Sequence, residues 1–302
     1  MHISDYLNII EGELIRDGEF EVWDFCTSFC EKPFISFLGN PKYVNKLNPH
    51  ISCIIVKKEM LNIIPDTITG IFVAEDPKKE FYVLHNHIVS EINKSKKKID
   101  TVIGKGCIIH PTAVIAEENV IIKDNVFIGA NTVINENTII YNNVIIHENC
   151  VIGGKSFNFI KTIEGNMIGM IDAGYVEIED DVEIFPLTHI AAAPLPTDVT
   201  RLKKGCKIDA LVHIGHGTVV GERTEIPAGA QIGGNCVMGN DAWIGVNATV
   251  ANRIIVEDNV RVSLGSVVTK NVNKGKTVSG NFAVDHEHFI NELREFNRKY
   301  ND

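Results

Sequence analysis

Between Ile178 and Val268 the chain carries an aliphatic residue at nearly every sixth position: Ile178, Ile184, Ile190, Leu202, Ile208, Ile214, Val220, Ile226, Ile232, Met238, Ile244, Val250, Val256, Val262 and Val268. Pro196 is the one break in the series. A second column, four residues further on, is small or β-branched and includes Thr188, Pro194, Thr200, Cys206, Val212, Thr218, Thr224, Ala230, Cys236 and Ala248. An α-helix repeats apolar residues every 3.6 positions and a simple strand every 2, so neither yields a strict six. A two- to three-residue strand followed by a corner, repeated, does: this is the hexapeptide pattern of a parallel β-helix. The large aliphatic residue fills the interior, the small one fits near a corner, and Gly221-Glu222, Gly239-Asn240 and Glu257-Asp258 supply turns.

The period also runs through Ile103, Ile109 and Ile115 and, after a one-residue slip, through Ile122, Ile128, Ile134, Ile140, Ile146 and Ile152. From Gly153 to about Tyr175 it is lost, which predicts an excursion from the coil, either a functional loop or a plain insertion. Ala191 to Lys204 reads as a looser passage within the second run. Residues 1–98 lack the period and predict a separate α/β domain. Its strands are expected at Ile51–Val56 and Ile71–Ala74, and a helix opened by Pro77 covers Lys78–Glu91 with Phe81, Leu84, His85 and Ile88 on one face. Asn93–Lys98 is a polar connector. The expected architecture is mainly β: an α/β domain over 1–98, a β-helix over 99–280 and a C-terminal helix over 281–302. That helix is read from Phe282 to Tyr300, with Asp285 as N-cap and Phe289, Leu293, Phe296 and Tyr300 at helical spacing. It is expected to cap the open end of the coil or to make subunit contacts, with recognition of a carrier protein as the sharper reading.

A net charge of −10 argues against general nucleic-acid binding. No apolar run reaches the ~20 residues that span a bilayer, and Met1–Asp5 shows no signal-peptide pattern. Seven cysteines without a metal-type CxxC pair suit a reduced, cytoplasmic chain. Cys107, Cys150, Cys206 and Cys236 read as compact inward hydrophobes, and Cys26 and Cys30 as either core packing or a redox pair.

A stack of aliphatic coils has little use for histidine, so Ile208-Asp209-Ala210-Leu211-Val212-His213-Ile214-Gly215-His216-Gly217 draws attention. His216 stands between two glycines, where an unobstructed imidazole accepts a proton near neutral pH. A surface histidine is the plainer reading. The segment resembles the catalytic coil of nucleotide-sugar N-acyltransferases of the left-handed β-helix superfamily, such as the UDP-3-O-acylglucosamine N-acyltransferases of lipid A synthesis. Their motif sets an aspartate seven residues before a histidine, as Asp209 precedes His216 here. The resemblance implies that three hexads close one left-handed triangular coil, so residues eighteen apart stack at about 4.8 Å. It implies His216 as general base, Asp209 as its support, and the backbone N–H of Gly234, eighteen residues on, as oxyanion donor. His213 is a substrate-side candidate with no role carried over.

Ile35-Ser36-Phe37-Leu38-Gly39-Asn40-Pro41-Lys42-Tyr43 resembles the loop with which the same enzymes bind uracil. By that resemblance Phe37 and Tyr43 sandwich the pyrimidine, Asn40 bonds its edge and Lys42 meets the diphosphate. The lipid A enzymes usually carry Asp-Arg-Gly where Ala191-Ala192-Ala193 stand here, and a second histidine where Arg253 stands. These departures point to a relative resembling the N-acyltransferase of anthrose biosynthesis, acting on a dTDP- or UDP-linked amino deoxy sugar with acyl-CoA as donor. Lys203, Lys204, Arg253 and Arg261 are then the candidates for the CoA phosphates. An acyl-carrier-protein-dependent UDP-3-O-acylglucosamine N-acyltransferase is the alternative. Neither route involves a metal or an acyl-enzyme, and the resemblance implies a homotrimer. A zinc hydratase using His189, His213 and His216 and a non-catalytic sugar-nucleotide binding module stand as readings of other classes.

Overall fold

The computed structural model describes residues 1–28, 30–95, 99–280 and 283–300. Lys96–Lys98 of the connector, Phe282 at the expected helix start and the Tyr300 side chain lie outside the described residues.

The N-terminal domain is a five-stranded sheet of β1 (Glu13–Arg16), β2 (Val22–Trp23), β3 (Phe34–Leu38), β4 (Ile51–Val56) and β5 (Gly70–Val73), in the order β1-β5-β4-β3-β2. All neighbours are parallel except β1 and β5. Helix α1 (Pro77–Ser95) buries Phe81, Leu84, His85 and Ile88 against it, the face that the periodicity predicts. Strand β3 is absent from the sequence reading, which sees only the loop that follows it. Cys26 and Cys30 are free thiols, half-buried against the domain's smaller apolar cluster, consistent with packing.

Residues 102–278 wind into a left-handed parallel β-helix of three sheets. The inward aliphatics are buried in one continuous core from Val120 to Val272. The small column is buried too, and its threonines bind backbone: Thr218 Oγ1 donates to Gly233 O (2.9 Å) and accepts from Cys236 N (3.2 Å). Each corner needs a left-handed residue, which explains the asparagines at six-residue intervals, Asn119, Asn125, Asn131, Asn137, Asn143 and Asn149, all with φ between 57° and 59°.

Strand register exposes two excursions. Ile134 lies beside Ile152, but Ile152 lies beside Ile190, so the first excursion falls where the period is lost. It folds into an antiparallel hairpin, Phe159–Lys161 against Met167–Gly169. The second was not foreseen as a departure. Ile178 pairs with Leu202, Ile184 with Ile208 and Ile190 with Ile214, one hexad more than a coil. Residues 192–198 therefore leave the prism, and Pro194 and Pro196 occupy no coil position. The insertion equals one repeat, so the sequence stays in phase, and only the break at Pro196 within the looser Ala191–Lys204 passage marks it.

Both excursions plug into the N-terminal domain. Ile160, Met170 and Leu195 join its main core. Tyr82 Oη donates to Asn158 Oδ1 (2.7 Å), and Asn86 bonds both Gly169 O and Ile171 N. Trp23 Nε1 donates to His85 Nδ1 (2.7 Å), so His85 Nε2 carries the proton and donates to Ile171 O (2.7 Å). Burial holds His85 neutral, with its pKa down to about 4.

The C-terminal helix α2 spans His286–Tyr300, and Asp285 caps it by accepting from Glu287 N (3.0 Å) and His288 N (3.3 Å). Phe289, Leu293 and Phe296 are exposed, so within one chain the helix does not cover the coil's end as expected.

Candidate active site

The corner that follows the strands His213–Ile214, Gln231–Ile232 and Thr249–Val250 stacks His216, Gly234 and Asn252 in successive coils. The contact between the first two is intimate: a Cβ on Gly234 would lie 2.6 Å from His216 Nε2 and 2.8 Å from Cε1. The bare α-carbon at 234 is thus the seat of the imidazole. The expected eighteen-residue stacking of His216 and Gly234 holds.

A cavity of about 670 Å³ opens on this corner from the side of the N-terminal domain. Phe37, Asn40 and Tyr43 line it together with His216, Gly234 and Arg253, so the two motifs found apart in sequence share one space. Strand β3 delivers Phe37, which packs against Phe81 (ring centroids 5.1 Å) and Phe25 (6.3 Å). Asn40 Oδ1 caps the 3₁₀ turn Pro41–Lys46 by accepting from Lys42 N (3.0 Å). Lys42 turns its ammonium over the Tyr43 ring at 4.9 Å and is absent from the cavity wall. A second groove of about 390 Å³ lies on the other side of the corner, with Ala191, His213, Gln231 and Thr249 among its walls. Phe157, His216, Gly234 and Asn252 line both.

Burial lowers the His216 pKa first, helped by the Arg253 guanidinium and by His213, so the ring is a neutral base at pH 7. Its Nδ1 is buried without a hydrogen-bond partner. Asp209 is not that partner. Its carboxylate accepts from Ala210 N (2.7 Å) and Ala228 N (3.1 Å), closing a corner. Six residues make one side of the triangle, so a separation of seven sets Asp209 and His216 on consecutive corners of the same coil.

The carboxylates beside the site are ones that sequence reasoning missed. A Cβ on Gly217 would meet Asp198 Oδ2 at 3.8 Å. Burial and the nearby Asp24 raise the Asp198 pKa to about 7, against the pull of Arg253. Asp24, itself raised by burial, accepts from Thr197 Oγ1 (2.8 Å) across the domain boundary. Only the concealed excursion brings Asp198 there, so no motif could have revealed it.

Gly234 N–H is not a free donor: it bonds Asn252 Oδ1 at 3.1 Å. His213 stacks on His189 (centroids 5.1 Å, 15° between planes), with their Nδ1 atoms 3.1 Å apart. Burial lowers both pKa values. Among the described residues no three histidine, cysteine or acidic side chains gather as a metal site. Arg253 stands over Phe25 at 5.7 Å, on the Phe37–Tyr43 side. Lys203, Lys204 and Arg261 line neither cavity. Lys204 pairs with Asp181 (3.6 Å), and Arg261 lies over Trp243 (5.3 Å). Arg253 also holds a left-handed φ of 62° where the preceding coil has Asn235 and the next corner has Asn259, a strained backbone kept at the cavity wall.

The bacterial transferase hexapeptide (six repeats) family matches residues 119–154 and 200–234. A UDP-3-O-acylglucosamine N-acyltransferase 1 of Sulfurimonas denitrificans is 37% identical over 95% of this chain and 95% of its own length. A UDP-3-O-acylglucosamine N-acyltransferase of Albidiferax ferrireducens is 35% identical over 94% and 88%. The structure of a UDP-N-acetylglucosamine acyltransferase from Campylobacter jejuni shares the fold, with a TM-score of 0.53 at 16% identity over 67% of this chain and 81% of that one. The chain belongs to the UDP-3-O-acylglucosamine N-acyltransferase family of hexapeptide-repeat acyltransferases.

Proposed function

We propose that this chain transfers an acyl group from a thioester to the amine of a uridine-diphosphate-linked amino sugar, UDP-3-O-acylglucosamine being the acceptor its relatives' names favour. The observation that carries this reading is the single cavity joining Phe37, Asn40 and Tyr43 to His216. The pyrimidine stacks on the aromatic end, Arg253 and the neighbouring Lys78 face the diphosphate, and the sugar amine reaches the corner. The thioester enters from the second groove, so donor and acceptor meet at His216.

The amine nitrogen attacks the thioester carbonyl while His216 Nε2 takes its proton. The tetrahedral intermediate collapses, the carbon–sulfur bond breaks, and the proton passes from the imidazolium to the departing thiolate. The residues expected to hold the CoA phosphates, Lys203, Lys204 and Arg261, stand away from both grooves of the chain. This favours a carrier-protein thioester over the acyl-CoA that the departures at Ala191–Ala193 and Arg253 suggest. We read the assembly as a homotrimer, because Leu187 and Leu211 hold left-handed corners with more than half of each residue exposed.

The test is thiol release with UDP-linked and dTDP-linked amino sugars against acyl-carrier-protein and acyl-CoA donors. His216→Ala is expected to lower turnover by about two orders of magnitude or more. Undiminished turnover removes the imidazole from the reaction.

A further inference from the structure

The corner ladder repeats one device. A side-chain oxygen eighteen residues on accepts the backbone N–H beneath it, as Asn240 does from Glu222 N (2.9 Å) and Asp258 from Asn240 N (2.8 Å). Asn252 does the same for Gly234 N at 3.1 Å. The N–H that the family motif nominates as oxyanion donor is thus spoken for within the chain. The same bond fixes the amide. An N–H can meet only the oxygen of an asparagine, so Oδ1 faces the coil and the Nδ2 group, with two donors, turns outward. Asn252 is exposed and borders both cavities beside His216 and Phe157. An amide whose oxygen already accepts a hydrogen bond is a stronger donor through its nitrogen.

Resting on the acyl-transfer reading above, we propose that Asn252 is a further catalytic residue. Its Nδ2–H donates to the thioester oxygen as negative charge gathers there, and Gly234 N–H acts through it by fixing the amide. The geometry has the features of a preorganised oxyanion donor: a fixed dipole, anchored to the coil on which the His216 ring rests, at the meeting of donor and acceptor grooves.

Two substitutions separate this arrangement from direct donation by Gly234. Asn252→Ala removes the side-chain donor and frees Gly234 N–H. Asn252→Asp keeps an oxygen on Gly234 N–H and replaces the outward donor by an acceptor of like charge to the oxyanion. Both are expected to lose about 10²–10³-fold in kcat, with little change in acceptor KM, in UDP affinity measured by calorimetry, or in melting temperature. Should Asn252→Ala keep or gain kcat while His216→Ala loses it, the proposal falls and the acyl-transfer reading stands. Full activity in His216→Ala overturns both. If Asn252→Ala fails to fold, the near-isosteric Asn252→Asp decides, since wild-type kcat in that variant excludes a donating amide.

Discussion

Gly234→Ala is a direct test of how the imidazole is held. An added methyl would sit 2.6 Å from His216 Nε2, 2.8 Å from Cε1 and 3.0 Å from Cδ2. Ordinary contact needs about 3.5 Å or more, so the ring must retreat by roughly 1 Å. The backbone at 234 cannot yield instead, because Gly234 O accepts from Arg253 N (2.9 Å) and Gly234 N bonds Asn252. A displacement of that size at a reacting group costs about 10²-fold in rate. The assay is kcat by thiol release under saturating acceptor and donor, with kcat/KM followed across pH. In the wild type His216 has a lowered pKa, so its base form is full at neutral pH and the rate falls only below the usual histidine range near 6.5. Moving the ring toward water should lift that acid limb toward the ordinary value while kcat drops. Turnover within about twofold of wild type, with an unmoved acid limb, would refute the seating argument.

Two further outcomes follow from groups outside the reaction. His85 is neutral and bonded on both nitrogens in the folded state, with a pKa near 4 against 6.5 when unfolded. A depressed base binds fewer protons folded than unfolded, so stability is full above 6.5 and is lost as pH falls toward 4, by up to ~3 kcal/mol. Denaturant titrations at pH 7 and pH 5, followed by Trp23 fluorescence in a Trp243→Phe background, should show this slope and its loss in His85→Gln; equal slopes in both proteins would contradict it. Leu187 and Leu211 hold φ values of 63° and 61° and are exposed. Wild-type protein should sediment at three times the 33.5 kDa subunit mass, and the Leu187→Asp/Leu211→Asp double variant should be dissociated, whereas a monomeric wild type would end the trimer proposal.

The coil was legible because burial repeats every six residues and the core tolerates only aliphatics there, from Val120 to Val272. The histidine corner was legible for a related reason: polar rings are foreign to such a pattern. Support for the histidine was read less well. Asp209 keeps the family spacing, but spacing along a triangular coil counts corners, and seven residues lead to the next one. Arg253 is read from sequence as a phosphate ligand, and Asn252, eighteen residues past Gly234, is within reach of the same stacking rule but carries no motif; Asp198 arrives through an insertion of one repeat, which keeps the six-residue phase. Strand β3 escapes the sequence because a run of four buried residues and the half-buried Phe37, leading into an Asn-Pro turn, carries no alternation to read.

The excursions explain why the cavity exists at all. A regular prism offers flat faces, and a small α/β domain offers one aromatic loop; neither encloses a substrate. The first excursion inserts Ile160 and Met170 into the N-terminal core and the second inserts Leu195, while His85 and Asn86 grip Ile171. With about 25 cal/mol per Å² of apolar surface removed from water, these anchors fix the domain against one corner rather than along a whole face. The corner so chosen carries His216, and the strand so fixed ends at Phe37. Aligning the proposed pyrimidine platform with the imidazole thus depends on residues that touch neither, and the angle between the two lobes is set by the segments that break the six-residue rule.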